Sequence, residues 1–425
     1  MVFLSILPLL KLNPTMVFCL LMSILIVIDF VSYLGIQNII LNKKFKLVIK
    51  ILFWSISLLI YGNLYWDFFL HNWSRNIFDF INIYYLSNLI IIIYVPKIVF
   101  SIFIFLTLII FFFREIKNKI LFKNTKFNSV SIIRKILISG LIFSFLMLLA
   151  LTYGLFIGRF SYQVTYHQLF LKNFPKSFNG LKIVQISDLH LCTYLHHEKD
   201  LEKAVELINE NNADLVFFTG DLINSFAEEV PRFIPVLKKI RAKTAKFAVF
   251  GNHDYCDYYI WKNDNVRIEN HKKLILYFSD IGFKILSNEK LPLIRGTDTL
   301  YIAGIENWGL RPYRQGGDIN QTLKGSQSKD FIILLSHDPM FWDKFVHNYE
   351  NVRITFSGHT HGMQIGINFG KKHWSPFKDG YKKWVGIYEF KNQLLYVNKG
   401  LGGGIYPGRI GMFPEISVFV LHDRK

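Results

Sequence analysis

Cysteine is nearly absent: the 425-residue chain holds three, Cys19, Cys192 and Cys256, at no metal-binding spacing. Cys19 lies in an apolar run and the other two could pair at most once, so there is no disulfide framework. Acidic residues are also scarce, 31 against 49 Lys and Arg, for a net charge of +18. That excess invites a nucleic-acid reading, and its distribution argues against one. Residues 1–160 carry 15 basic and 4 acidic residues, a net +11, whereas the longer remainder carries 34 and 27, a net +7. Most of the surplus lies in loops between apolar segments, where basic residues set topology, and no nucleic-acid partner is expected. The basic leader of a signal peptide is missing too. Residues 1–12 are apolar but interrupted by Pro8 and Lys11, with no basic residue before the run. The MVF of residues 1–3 recurs at Met16, which makes that methionine a second candidate start. No GxxxG face and no transporter-like pair of broken helices is found.

What the chain has in excess is apolar residues, 51% hydrophobic and 16% aromatic, too many for a purely soluble protein. The excess lies before about residue 160. Four stretches, roughly 16–37, 48–66, 88–113 and 136–157, reach the length of about 20 residues that crosses a bilayer. Lys43, Lys44, Lys46 and Lys50 separate the first two. Arg114, Lys117, Lys119, Lys123, Lys126, Arg134 and Lys135 separate the last two. Between the second and third lie Asp67, Arg75 and Asp79, with Trp66 and Trp73 as interfacial anchors. By the positive-inside rule the basic loops are cytoplasmic, so the fourth span runs outward through the cytoplasmic membrane. Everything past about residue 160 is then expected outside the cytoplasm.

Asp29 is the only acidic residue inside a span. An intramembrane carboxylate is a functional candidate, although a neighbouring helix could satisfy it, and anchoring is the plainer reading of this half. The organisation expected is an all-α transmembrane region over 1–159, an amphipathic connector and incoming strand near the membrane over 160–180, and a catalytic domain over 181–425.

From 181 the pattern alternates strand and helix. HEKDLEKAVELINENN has helical spacing, with Leu201, Ala204, Val205 and Leu207–Ile208 on one face. Further helices are expected near 231–242, 263–280 and 340–349. FKILSN, PLIRG, TLYIAGIE, WVGIYEF, QLLYVN and ISVFVL read as strands. The fold class is α/β turning more β-rich, a two-sheet β-sandwich flanked by helices. No repeat or low-complexity segment interrupts it.

Five polar clusters each close an apolar, strand-like segment. KIVQIS precedes Asp188-Leu189-His190, LVFFTG runs into Asp221, and KFAVFG leads to Asn252-His253-Asp254. FIILLS precedes His337, and VRITFS precedes Gly358-His359-Thr360-His361. Ligands gather at the carboxyl ends of strands in such folds. Glycines before Asp221 and Asn252 allow tight turns, and residues two apart in an extended chain point the same way. The mixed imidazole, carboxylate and amide set suits Mn, Fe or Zn better than Mg or Ca alone. It also exceeds what one ion needs, and two divalent metal ions bridged by a carboxylate hydrolyse phosphate esters.

These motifs resemble the calcineurin-like metallophosphoesterase superfamily, whose pattern is D-x-H, G-D, G-N-H-D/E, H and G-H-x-H. The likeness covers roughly residues 180–425, including GHTHGMQ at 358–364 and LGGGIYPGR near the end, and is nearest to membrane-anchored bacterial phosphoesterases. The resemblance implies that Asp188, His190, Asp221 and His361 bind a first metal. Asp221 would bridge to a second held by Asn252, His337 and His359. His253 would protonate the leaving oxygen, with Asp254 orienting it, while a metal-bridging hydroxide attacks phosphorus.

Other residues fit plainer roles. His196 and His197 read as a polar pair at a helix start rather than substrate contacts. Trp308, Arg311 and Arg314 follow a strand end and read as a solvated loop, the alternative being an arginine that clamps substrate phosphate. Gly402, Gly403 and Gly404 read as a tight structural turn rather than a phosphate cradle, and Cys192 and Cys256 as bystanders. The expected substrate is a phosphate ester, lipid-linked or of the envelope. The alternatives are a UDP-diacylglucosamine pyrophosphatase-like enzyme of lipid A synthesis and, in another class, a non-catalytic membrane scaffold or sensor. Degenerate relatives lose ligands or the proton-donating histidine, and here all are present. Substrate, native metals and oligomeric state stay open at this level.

Overall fold

A computed structural model of the chain describes residues 13–70, 77–121, 129–259, 261–309, 315–370, 372–404 and 406–424. Trp73, Arg75, Lys123, Lys126, Arg311 and Arg314, and the first twelve residues, fall outside that set. The chain forms two compact units, Met1–Tyr153 and Gly154–Lys425.

The first unit is built on α1 (Pro14–Ile39), α2 (Lys43–Tyr65), α3 (Ile77–Leu121) and α4 (Ser129–Phe156). All four, with α4 running on into the second unit, are long and apolar enough to cross a membrane. Their outward surfaces are greasy: Leu59, Phe105 and Phe113 are each more than 60% exposed, as side chains facing lipid are. α3 is longer than its periodicity suggests, 45 residues with Pro96 inside. At about 1.5 Å per residue that is roughly 68 Å, well beyond a bilayer core of about 30 Å. Asp29 is fully buried and satisfied across the helices. Lys97 Nζ lies 2.6 Å from Oδ1, while Tyr94, at 2.9 Å, and Tyr61 donate to Oδ2.

The second unit is a sandwich of two six-stranded sheets. The first has the order β1 (Gln163–Leu171), β14 (Glu415–Asp423), β2 (Leu181–Ile186), β3 (Leu215–Phe218), β4 (Ala245–Ala248) and β5 (Lys284–Ile285). The second runs β12 (Gly386–Phe390), β13 (Gln393–Val397), β9 (Val352–Ser357), β8 (Ile332–Leu335), β7 (Asp298–Gly304) and β6 (Glu289–Arg295). Residues 163–171, the incoming segment, are a full edge strand, parallel to β14 along their length.

Alternation sorts the side chains between layers. Ile183, Leu215 and Phe217 point between the sheets against Ile333, Phe356 and Phe419. Val184, Val216 and Phe218 point the other way, beneath α5 (Glu198–Glu210) and α6 (Asp264–Ile281). Strands buried on both faces read as unbroken apolar runs, which is why the six-residue segments stand out in the sequence. The helix expected over 231–242 is reduced to a 3₁₀ turn, Pro231–Phe233, and one short turn, Ile234–Leu237. Pro231 and Pro235 lack amide donors there, and the chain has only to reach β4.

Candidate metal centre

Each expected ligand leaves the carboxyl end of a strand: Asp188 and His190 follow β2, Asp221 β3, Asn252 β4, His337 β8, and His359 and His361 β9. The two sheets are stitched together at these ends. The His359 amide donates to both Asp188 carboxylate oxygens at 3.1 and 3.0 Å, and Gln185 Nε2 reaches across to the Ser357 carbonyl at 2.9 Å. Glycine permits the approach. A Cβ on Gly251 would stand 2.1 Å from Asp221 Oδ1, and one on Gly358 2.4 Å from Asp188 Oδ2. The ligands themselves are bent backwards: Asp188, His190, Asp221, His359 and His361 all have positive φ, from 42° to 72°. Such backbone costs roughly 1–3 kcal/mol a residue and persists where its surroundings over-determine it.

Asp188, His190, Asp221 and His361 each offer a donor atom, all within 4.8 Å of one another, and Asp221, His337 and His359 form a second such group. Asp221 is common to both. Asn252 joins the second group through Oδ1, 3.0 Å from His337 Nε2. Ring nitrogens converge: His190 Nε2 lies 3.2 Å from His361 Nε2, and His337 Nε2 3.1 Å from His359 Nδ1. On the outward side a carbonyl only accepts. His337 Nδ1–H donates to Thr219 O at 2.7 Å, which leaves Nε2 as the nitrogen facing inward, while His361 Nδ1 lies between the Gly402 carbonyl at 3.3 Å and the Arg409 guanidinium at 3.4 Å, with Nε2 again inward. Imidazoles, carboxylates and an amide aimed at shared points suit divalent ions once any imidazole proton on the inward nitrogen is displaced.

Electrostatics follow from burial and crowding. The His337 and His253 imidazoles, with hydrogen bonds from His190 and His337, hold Asp221 well below the usual carboxylate range against the pull of burial. Burial works against protonation of His337, yet Asp221 and Asp188 lift it to about 10. Burial pushes His253 down to about 4, with Asp221 opposing.

His253 belongs to neither donor group. Its amide donates to Asp221 Oδ1 at 2.9 Å, its ring stacks on Tyr258 at 4.3 Å, and Nδ1–H donates to the Asn224 carbonyl at 2.8 Å. Nε2 is left as the reactive nitrogen. The sequence reading sets Asp254 to orient this imidazole. In the structure the Asp254 carboxylate instead accepts from the amides of Asp221, Leu222 and Gly251 at 2.8, 2.9 and 2.9 Å, and Asn224 does the orienting.

Three residues escaped the sequence reading. Arg409, fully buried, donates to the His361 carbonyl at 2.6 Å and to that of Gly402. Tyr381 lies 2.6 Å from His359 Nε2, and Asp338 3.7 Å from the same atom. Asp338 sits directly after His337 and Arg409 closes the glycine-rich segment, so proximity to motifs was the available signal. Of the lesser candidates, His197 starts α5 and pairs with Asp200 at 3.4 Å, and His196 is exposed. Trp308 is buried against Phe341 and Phe345. Gly402 abuts the Leu189 carbonyl and donates to that of Asp188 at 2.7 Å, so the glycine turn braces the first ligand loop. Cys192 and Cys256 are buried free thiols.

Residues 181–363 match the family profile for calcineurin-like phosphoesterase, and residues 14–159 that for the probable calcineurin-like phosphoesterase, transmembrane domain. The uncharacterized metallophosphoesterase YkuE of Bacillus subtilis is 33% identical over 264 residues, 61% of this chain and 85% of that protein. The transmembrane protein with metallophosphoesterase domain of Danio rerio is 27% identical over 59% of this chain and 55% of its own length. The UDP-2,3-diacylglucosamine pyrophosphatase LpxG of Chlamydia trachomatis is 29% identical over 54% of this chain and 82% of that protein.

Proposed function

The chain belongs to the calcineurin-like phosphoesterases, and on that premise we propose that it holds two divalent ions and hydrolyses a lipid-linked or envelope phosphate ester outside the cytoplasm. Its class follows from membership: a metal-dependent hydrolase of phosphate esters, carried on membrane-spanning helices. The observation that carries the finer reading is Asp221, one buried carboxylate shared by two donor groups.

In this reading Asp188, His190, Asp221 and His361 hold one ion, and Asp221, Asn252, His337 and His359 the other. Bound divalent ions, of which Mn, Fe or Zn suit these donors, neutralise charge on phosphoryl oxygens and acidify water. Asp221 keeps its charge between the two groups because surrounding imidazoles hold its proton off. With Nδ1–H held by the Asn224 carbonyl, His253 would take up its second proton on Nε2 as the negative charge of a bound phosphate offsets burial, and would give that proton to the departing oxygen, since that nitrogen belongs to neither donor group. Asn224 and Tyr258 fix the ring for that transfer.

The basic residues flanking α2 and following α3 support a catalytic unit facing away from the cytoplasm. A second reading, cleavage of the UDP-2,3-diacylglucosamine pyrophosphate bond, is favoured by the likeness to the chlamydial enzyme named for it. The test offers the purified full chain, with Mn, a phosphomonoester, a phosphodiester and UDP-2,3-diacylglucosamine, and locates its C-terminus with a reporter fusion. Ester turnover and an outside C-terminus uphold the proposal. Turnover of the nucleotide alone, from inside, selects the second reading. Two ions held with nothing hydrolysed points to a scaffold.

A further inference from the structure

Past His361 the chain leaves both large sheets and makes an isolated two-stranded hairpin of β10 (Ile367–Phe369) and β11 (Lys372–Trp374), with Ile367 opposite Trp374. Its apolar side chains are bare. Ile367, Phe369 and Trp374 are 46%, 69% and 49% exposed, and Phe377 just beyond is 60% exposed. A cluster of this kind on a folded domain marks a contact surface. The charge around it is one-sided: between Gly366 and Trp384 the sequence has Lys371, Lys372, Lys378, Lys382 and Lys383 against Asp379 alone. Lys372, Lys378 and Lys382 are exposed.

The root of the hairpin says what it faces. The Gly366 amide donates to the Ile410 carbonyl at 2.9 Å. Ile410 packs at the same time on Gly154, where a Cβ would lie 2.8 Å from Ile410 Cγ1, and the Arg409 amide donates to the Gly154 carbonyl at 3.1 Å. Gly154 belongs to the fourth candidate span, Ser131–Phe160. Within the second unit, Ile410 thus touches both the root of the hairpin and Gly154, the residue at which that unit begins. Phe369 is three residues from the root, within about 10 Å at roughly 3.3 Å per residue.

We propose that Phe369, Trp374 and Phe377 enter the headgroup layer of the membrane holding the fourth span, with the neighbouring lysines against anionic phospholipid. Aromatic rings favour that depth, and clustered lysines are drawn to anionic lipid. The docking has a consequence that rests on the function proposed above. His361 lies six residues before Ile367, at most roughly 20 Å of chain at about 3.3 Å per residue, so the docking would hold the metal centre near the headgroup layer where a lipid-linked phosphate lies.

The test uses the full chain carrying Cys19→Ser and Phe369→Cys, labelled with an environment-sensitive fluorophore. It is reconstituted in vesicles of equal parts phosphatidylcholine and phosphatidylglycerol, with or without lipid bearing a nitroxide near the headgroup. The control label replaces Ile294, 73% exposed on β6. The expected result is severalfold quenching at position 369 and little at 294. Equal quenching at both overturns the proposal, and so does a label at 369 whose emission reports an apolar surrounding while it escapes the nitroxide, the mark of burial against protein. Phe369→Asp with Trp374→Asp is expected to slow hydrolysis of a vesicle-borne phosphate ester severalfold and to spare a soluble p-nitrophenyl ester. If neither ester is hydrolysed by wild type while quenching is seen, the functional reading fails and the docking stands. If the soluble ester turns over without quenching, the docking alone fails.

Discussion

At the scale of single residues the chemistry turns on Asp221, His337 and His253. His337 is lifted to about 10 by Asp221 and Asp188 against burial, so it holds its proton at neutral pH. A cation that takes Nε2 must displace that proton. Metal affinity should therefore rise with pH, by up to about tenfold per unit between roughly pH 7 and 9. Calorimetric Mn titrations at several pH values would show it, and a flat affinity would contradict the assigned charge state. His253 makes a different demand. As a proton donor it matters most when the departing oxygen is basic, so His253→Ala should cost about 10²–10⁴-fold for a phenyl ester and far less for a p-nitrophenyl ester. Equal losses for both would reduce His253 to a positioning residue.

At the scale of elements the site depends on strand ends brought within contact distance. Gly251→Ala would place a Cβ 2.1 Å from Asp221 Oδ1, against a carboxylate with no room to yield. The expected outcome is about 1–3 kcal/mol lost in thermal unfolding, with weakened metal binding, because the loop must move to admit the methyl group. An unchanged melting curve would show the two loops to be looser than described. Much of this architecture was legible in the sequence. Strands such as β3 and β8, buried on both faces, announce themselves as apolar runs, and each ends on its motif. The rest was not, for a physical reason. Arg409 meets His361 across 48 positions and Tyr381 meets His359 across 22, contacts that only tertiary packing creates. The left-handed backbone at five ligands has no local signature either, since Asp and His are not residues that require it. Asp254 misled for the same reason. Its neighbour in sequence is His253, but its partners are amides near Asp221.

At the scale of the whole molecule, an apolar helical unit and an α/β sandwich are held by different forces. The helical unit carries a buried ion pair, Asp29 with Lys97, roofed by Tyr61 and Tyr94. The sequence showed Asp29 as an oddity, and Lys97 passed as one more lysine in a basic half. Lys97→Met would leave the carboxylate buried and unpaired, which costs about 3–5 kcal/mol. A lower melting temperature in detergent, restored by Asp29→Asn in the same chain, checks this. No recovery in the double variant would mean that the pair is not the source of the loss.

Whether Asp221 joins two ions is decided by counting bound metal and phosphodiester turnover in one preparation of the full chain, wild type beside Asp221→Asn. The expected result is two divalent ions per chain and metal-dependent hydrolysis in wild type, with both metal groups weakened and turnover lost together in the variant. Two ions retained and turnover unchanged in Asp221→Asn would contradict it.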